Sequence, residues 1–174
     1  MILNNYWKWL KANQNISIYS SSNDLDIGLK DITGAAANVY WGDNSGSALN
    51  NIRNGADPNR VLINDLSVRL GTGTSTISSS DYALANDITS SISDLTSNLA
   101  SVATNKLERI ITVTGTNNTN ADITITQVAI CKGVSNDWSH SNLKIVMFAA
   151  CNLNSPLTVE SGESFAVTVN WTEQ

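Results

Sequence analysis

Residues 164–171 read SFAVTVNW. On an extended chain Phe165, Val167, Val169 and Trp171 share one face, and Ala166, Thr168 and Asn170 share the other. Successive side chains of a strand point to opposite sides, so this alternation predicts a strand covering one side of a core. Three upstream runs are equally rich in β-branched residues: RIITVTG at 109–115, ITITQVAICK at 123–132 and LKIVMFAAC at 143–151. Turn-forming stretches separate them. GTNNTN at 115–120 makes a polar tip, residues 132–141 a longer loop, and ESGE at 160–163 a tight connection. Pro156 suits a position just before a strand or on a sheet edge, where no ladder N–H is needed. Four strands at short, regular spacing predict an all-β fold, an antiparallel β-sandwich of jelly-roll or Ig-like kind.

Composition agrees. The 174 residues suffice for one domain, and 41% of them are apolar, enough for a core. Charged residues are only 14%, and small hydrogen-bonding side chains replace them: 23 Asn, 22 Ser and 16 Thr. Those side chains compete for backbone hydrogen bonds and disfavour helix interiors, while Thr, Ile and Val suit a pleated surface. The net charge of -5 and the scattered basic residues argue against nucleic acid, whose phosphates need clustered Lys and Arg. No run approaches the roughly 18 apolar residues of a membrane-spanning helix. The opening MILNNYWKWLKANQ has no basic stretch before an apolar run and no small-residue cleavage site. A secretory signal is therefore not expected, and the cytosol is the expected place of synthesis.

The first half of the chain is less regular. Within residues 1–14, Ile2, Leu3, Tyr6, Trp7 and Leu10 recur at helical spacing, with Trp9 off the stripe. A helix this short is marginal unless it docks, so the segment is expected as a short N-terminal helix or arm. Its aromatic residues suit either a partner surface or its own domain. Residues 15–174 are expected as the single sandwich domain. Short strands are expected at 16–19, 27–32, 37–41 and 61–70, with a long loop at about 42–60. Residues 90–107 fit both a helical stripe (Ile92, Leu95, Leu99, Val102) and a Ser- and Thr-rich strand; the strand is the favoured reading.

Candidate chemistry thins out on inspection. Gly71-Thr72-Gly73 follows an apolar run as a phosphate loop would, but the third glycine of a dinucleotide fingerprint is replaced by Thr76. No lysine lies between Lys30 and Lys106, which removes the P-loop reading. A permissive turn is expected there instead. His140, the only histidine, sits in a polar loop, and no Gly-x-Ser-x-Gly elbow is present. Glu160 and Glu163 flank a turn and are expected to face solvent rather than form a glycosidase pair. Asp24, Asp26 and Asp43 occur in fragments that lack EF-hand spacing. Cys131 and Cys151 are expected as small buried hydrophobes, a disulfide remaining open if their strands are neighbours. Asn15, Asn117 and Asn170 open N-x-S/T sequons, which chance supplies in a chain of this composition. No catalytic residue, cofactor or metal is expected.

Read in order, the segments from about 61 to 174 resemble a layout of structural proteins of tailed bacteriophages. A strand enters RLGTGT (69–74), and a polar spacer leads to DYAL (81–84). ITVTG (111–115) with the NNTN tip and ITITQVAI (123–130) follow, then an apolar strand, PLTV (156–159), GES (162–164) and the closing strand. The chain departs from that layout at Gln127 and Ala129, where such proteins often carry Glu and Gly. The resemblance implies a non-enzymatic structural component of a virion: a β-sandwich for capsid decoration, neck or tail, present in many copies. It would assemble in the bacterial host cytoplasm and reside in the virion. Its partners would be other virion subunits and copies of itself, not nucleic acid, membrane or a small-molecule substrate. Tyr6, Trp7, Trp9 and Leu10 are the expected interface residues. The alternative is a receptor- or carbohydrate-binding module of a phage fibre or adhesin, with Trp41, Trp138 and Tyr82 as stacking platforms.

Overall fold

The computed structural model describes residues 1–8, 25–39, 66–100, 108–135 and 143–172. They form eight strands: β1 (Leu25–Lys30), β2 (Ala36–Val39), β3 (Leu66–Gly71), β4 (Ile92–Ala100), β5 (Glu108–Asn117), β6 (Ile123–Ser135), β7 (Leu143–Val159) and β8 (Ser164–Thr172). Every pairing is antiparallel. β1 and β2 pair alone, while two three-stranded sheets run in the orders β3-β6-β7 and β4-β5-β8. The chain passes between these two sheets after β3, after β5 and after β7.

One apolar cluster draws on both three-stranded sheets and on the β1–β2 pair. Val68 and Leu70 of β3, Ile111 and Val113 of β5, and Phe165 and Val167 of β8 all belong to it. A second, smaller cluster lies on the far side of β6 and β7, where Ala129, Cys131 and Met147 meet Leu3, Ile77 and Leu84. β6 is therefore buried on both faces. That is why the Ile-Thr alternation of 123–126 gives way to the continuous apolar run VAIC at 128–131, where both faces are buried, whereas β8, buried on one face, keeps its alternation.

β7 departs most from expectation. Its partner in β6 advances one step, from Ile130 to Cys131, while β7 goes from Ala149 to Met147, so Phe148 is an inserted residue. This bulge turns Phe148 and Ala149 toward the same cluster, and Met147 and Ala150 toward the other. A larger irregularity follows, because Ile125 faces Leu157 and Gln127 faces Asn152. Residues 153–156 bow out there, and Pro156 sits inside β7, an edge strand of its sheet, which is the second of the two positions expected for it rather than a link before a new strand. A bulge tolerates proline since no ladder N–H is required of it.

Other boundaries shift as well. β5 runs through Gly115 and Thr116 to Asn117, into the expected polar tip, and β6 runs to Ser135, into the expected loop. Residues 90–100 resolve in favour of strand: a single 3-10 turn at Thr89–Ser91 leads straight into β4. The expected strand at 16–19, the loop at 42–60 and residues 101–107 lie outside the described residues. Both cysteines are free, and the disulfide alternative is excluded by position. Cys131 faces Met147 and Cys151 faces Val128, so the two are three register steps apart and serve different clusters.

Candidate interaction surface

The N-terminal segment is expected as a short helix or arm, and its described part has something of both: residues 1–3 are extended and add to the free edge of β7. Met1 N donates to Ala150 O at 2.7 Å, Ala150 N to Met1 O at 3.0 Å, and Leu3 N to Phe148 O at 2.8 Å. An open strand edge offers backbone groups that a marginal helix does not, so pairing wins. Helix begins only at residue 4. There the buried Asn5 amide ties the segment down, donating to Lys30 O at 3.0 Å and Met147 O at 3.3 Å and accepting from Lys30 N at 3.2 Å.

This placement separates the four expected interface residues. Tyr6 is 6% exposed and packs edge-on against Phe148, with ring centroids 5.8 Å apart. It is committed to the protein's own core. Trp7 stands 43% exposed, its ring edge-on to Tyr6 at 5.3 Å. Trp9 and Leu10 lie outside the described residues. Beside Trp7 opens an apolar cleft of about 490 Å³. Met1, Ile2 and Trp7 wall one side, Val169 and Asn170 of β8 another, and Ile130 and Cys151 lie within it. Burial pushes the Cys151 thiol above its ordinary pKa, and that of Cys131 up to about 12, so neither is an activated nucleophile at neutral pH.

A second cleft, of about 300 Å³, lies on the opposite side of β6. Ser75, Asp81, Tyr82 and Gln127 line it. Tyr82 is 37% exposed, but its ring already rests on Gly34, and Lys30 Nζ sits 5.5 Å from its centroid. Gln127 Nε2 donates to Ser75 O at 3.0 Å and Asn152 Oδ1 at 2.9 Å, while its Oε1 is buried without a partner.

The Gly71-Thr72-Gly73 corner borders this cleft, and its glycines serve packing rather than a ligand. Thr72 N and Gly73 N donate to Asn86 O and Ala85 O, both at 3.2 Å. A Cβ on Gly73 would stand 2.5 Å from Ala85 Cβ and 2.8 Å from Gln127 Oε1; one on Gly71 would stand 2.9 Å from Ala85 O. The donors that a phosphate would need are already bonded to the 85–86 backbone. Next to the corner Asp87 pairs with Arg69. Burial works to raise the Asp87 carboxyl, but hydrogen bonds from Thr89 and the Arg69 guanidinium hold it below the ordinary value.

The buried amides were not singled out as important in the sequence. Asn117, read as part of a polar tip and as a sequon, is fully buried. Its Nδ2 donates to Ala121 O, Val159 O and Glu160 O at 2.9–3.1 Å, and its Oδ1 accepts from Thr119 N and Oγ1. No local pattern distinguishes it from the surface asparagines around it. Glu160 and Glu163 are exposed at their turn. His140, Trp41 and Trp138 lie outside the described residues. Among the described residues, no three His, Cys, Asp or Glu side chains gather to share a metal ion, and no helix is long and apolar enough to cross a membrane. No protein-family model matches the chain, and neither a curated protein nor a solved structure is similar to it.

Proposed function

We propose that this chain is a β-sandwich, of jelly-roll or Ig-like kind, that serves as a non-enzymatic structural subunit of a tailed bacteriophage virion. It contributes to capsid decoration, neck or tail, and meets neighbouring subunits through its N-terminal segment and its sheet edges. The supporting observation is Trp7. A large indole is held partly exposed beside an apolar cleft, on a segment fixed by backbone pairing to β7. Rigid, pre-placed aromatic side chains bind with little ordering cost and dominate interface energies. The order of strand and turn motifs, which resembles that of virion proteins, supports the kind of assembly proposed. The shared core of the two three-stranded sheets supports the sandwich reading.

The test is Trp7→Ala in phage particles. Truncation would be uninformative, because Leu3 and Tyr6 belong to the core. The variant is expected to keep the fold, by circular dichroism, and to lose incorporation. Normal incorporation would overturn the anchor role, and absence of the wild-type chain from purified particles would overturn the virion reading.

The second reading, a carbohydrate- or receptor-binding module, draws on Tyr82 at the mouth of the polar cleft. It requires glycan-array binding that Tyr82→Ala abolishes. An array without hits removes it.

A further inference from the structure

The two three-stranded sheets have four edges, and three of them carry, over part of their length, a covering segment, a proline or a charged bulge that hinders further pairing. On β3, Ile88 N donates to Leu70 O at 2.9 Å, Leu70 N donates to Thr89 Oγ1 at 3.0 Å, and Gly71 bridges to Asp87. On β7, Met1, Leu3 and Ile32 bond to residues 150, 148 and 145, and beyond them the bulge at 153–156 carries Pro156. On β4, the ladder breaks between Ser93 and Thr96, where Asp94 takes a positive φ of 51° and places a charge on the bend. Bulges, prolines, charges and covering segments are the usual means of keeping a strand edge from pairing with another chain.

Among the described residues, β8 has none of them. It pairs with β5 over nine consecutive positions, Ser164 to Thr172, without a register shift. It contains no Pro, Gly, Asp, Glu, Lys or Arg. Among the described residues, nothing bonds to its outer edge. We infer that β8 is a dimerisation edge, and that its occupant is the β8 strand of a second copy of this chain, antiparallel across a two-fold axis.

Three observations select a second copy. An antiparallel pair of identical strands is self-complementary about a two-fold, so one surface satisfies both sides. With Thr168 opposite its own copy, Val167 faces Val169 and Ala166 faces Asn170, which sets small or β-branched side chains together and no like charges in opposition. The apolar cleft also reaches this strand, with Val169 and Asn170 of β8 in its lining. Pairing there brings the clefts of the two copies together and covers Met1, which is 60% exposed, and Trp7. The inference rests on the assembly reading only for its purpose; the pairing itself is measured on the isolated full-length protein, so either can fail without the other.

Light scattering over a wide concentration range should give a mass about twice the 18.6 kDa of the chain. Thr168→Lys and, separately, Ala166→Lys place exposed charges on the edge without touching the core. Thr168→Lys sets like charges face to face on the axis and should weaken dimerisation by about tenfold or more; Ala166→Lys puts a charge opposite Asn170 on the pairing edge and should weaken it in the same direction, and both should leave the circular dichroism unchanged. Thr168→Cys, in a Cys151→Ser background, should form an intermolecular disulfide on mild oxidation. A monomer at all concentrations, or a dimer indifferent to both lysine variants and not cross-linked through position 168, would overturn the inference.

Discussion

At residue 117 one asparagine closes the end of the molecule. Its fully buried amide holds the β7 terminus, the tip after β5 and the start of the Glu160–Glu163 turn. Gly162, at φ +79°, lets that turn reach back so that its N–H donates to Asn117 O at 2.9 Å. Replacing the side chain removes its bond to the Val159 carbonyl in the interior and its bonds to the partly buried Ala121 and Glu160 carbonyls. Asn117→Ala should therefore lower unfolding free energy by about 3 kcal/mol in urea titration. Asn117→Asp keeps the shape but cannot donate, so at neutral pH it should be at least as damaging. It should recover partly in acid, where the protonated carboxyl regains one donor. Equal stability of the Asn117→Asp and native chains at neutral pH would contradict this account. The Gly73 corner makes the same point by subtraction. That glycine is needed because the 84–87 segment packs against it, and a side-chain methyl there overlaps Ala85 and Gln127. From sequence, Asn117 was one asparagine among many and Gly73 one loop glycine. Their roles depend on partners between 2 and 54 residues away.

At the scale of elements, the β1–β2 connection turns on Asp31. Its Oδ1 accepts from Thr33 N, Thr33 Oγ1 and Ala35 N at 2.8, 2.6 and 3.1 Å, and Lys144 Nζ lies 3.6 Å from Oδ2. Burial would raise this carboxyl, but these hydrogen bonds and the ammonium hold it below its ordinary value. The folded-state pKa is thus depressed. The contribution is full above the unfolded aspartate pKa and is lost as pH falls through the lower folded value. Urea midpoints should decline with falling pH in that acidic range, and Asp31→Asn should flatten the decline; an unchanged slope would show that Asp31 is not its source. Asp87, depressed in the same direction, accounts for part of what remains. The N-terminal element shows how tertiary context overrides local pattern. Its apolar stripe suits a helix, yet residues 1–3 are drawn into strand by an edge of β7 that no short-range signal reveals.

For the molecule as a whole, the shared core is decisive. Ile111 and Val113 of one sheet and Val128, Ile130 and Val146 of the other are at most 2% exposed within a single cluster. Neither sheet can keep its apolar face buried without the other. Unfolding should therefore be one cooperative transition, with tryptophan fluorescence and far-ultraviolet circular dichroism giving coincident curves. Two separated transitions would mean that the sheets are independent. The pairing β3 with β6 and β5 with β8 joins residues far apart in sequence, which predicts folding in the slower, millisecond-to-second range of β proteins.

The sequence by itself determined that the chain is β-rich and antiparallel, placed the strands of its C-terminal half, and removed the phosphate-loop reading. Those properties follow from alternation, β-branched content and fixed motif spacing, all of which are local. Only the tertiary structure decided that Tyr6 is core while Trp7 is surface, that Pro156 lies within a strand, that Asn117 is buried, and that among the described residues nothing bonds to the outer edge of β8. Each of those depends on which distant segment supplies the facing backbone or side chain, and a side chain's burial and hydrogen bonding are set by that neighbour rather than by its own flanks.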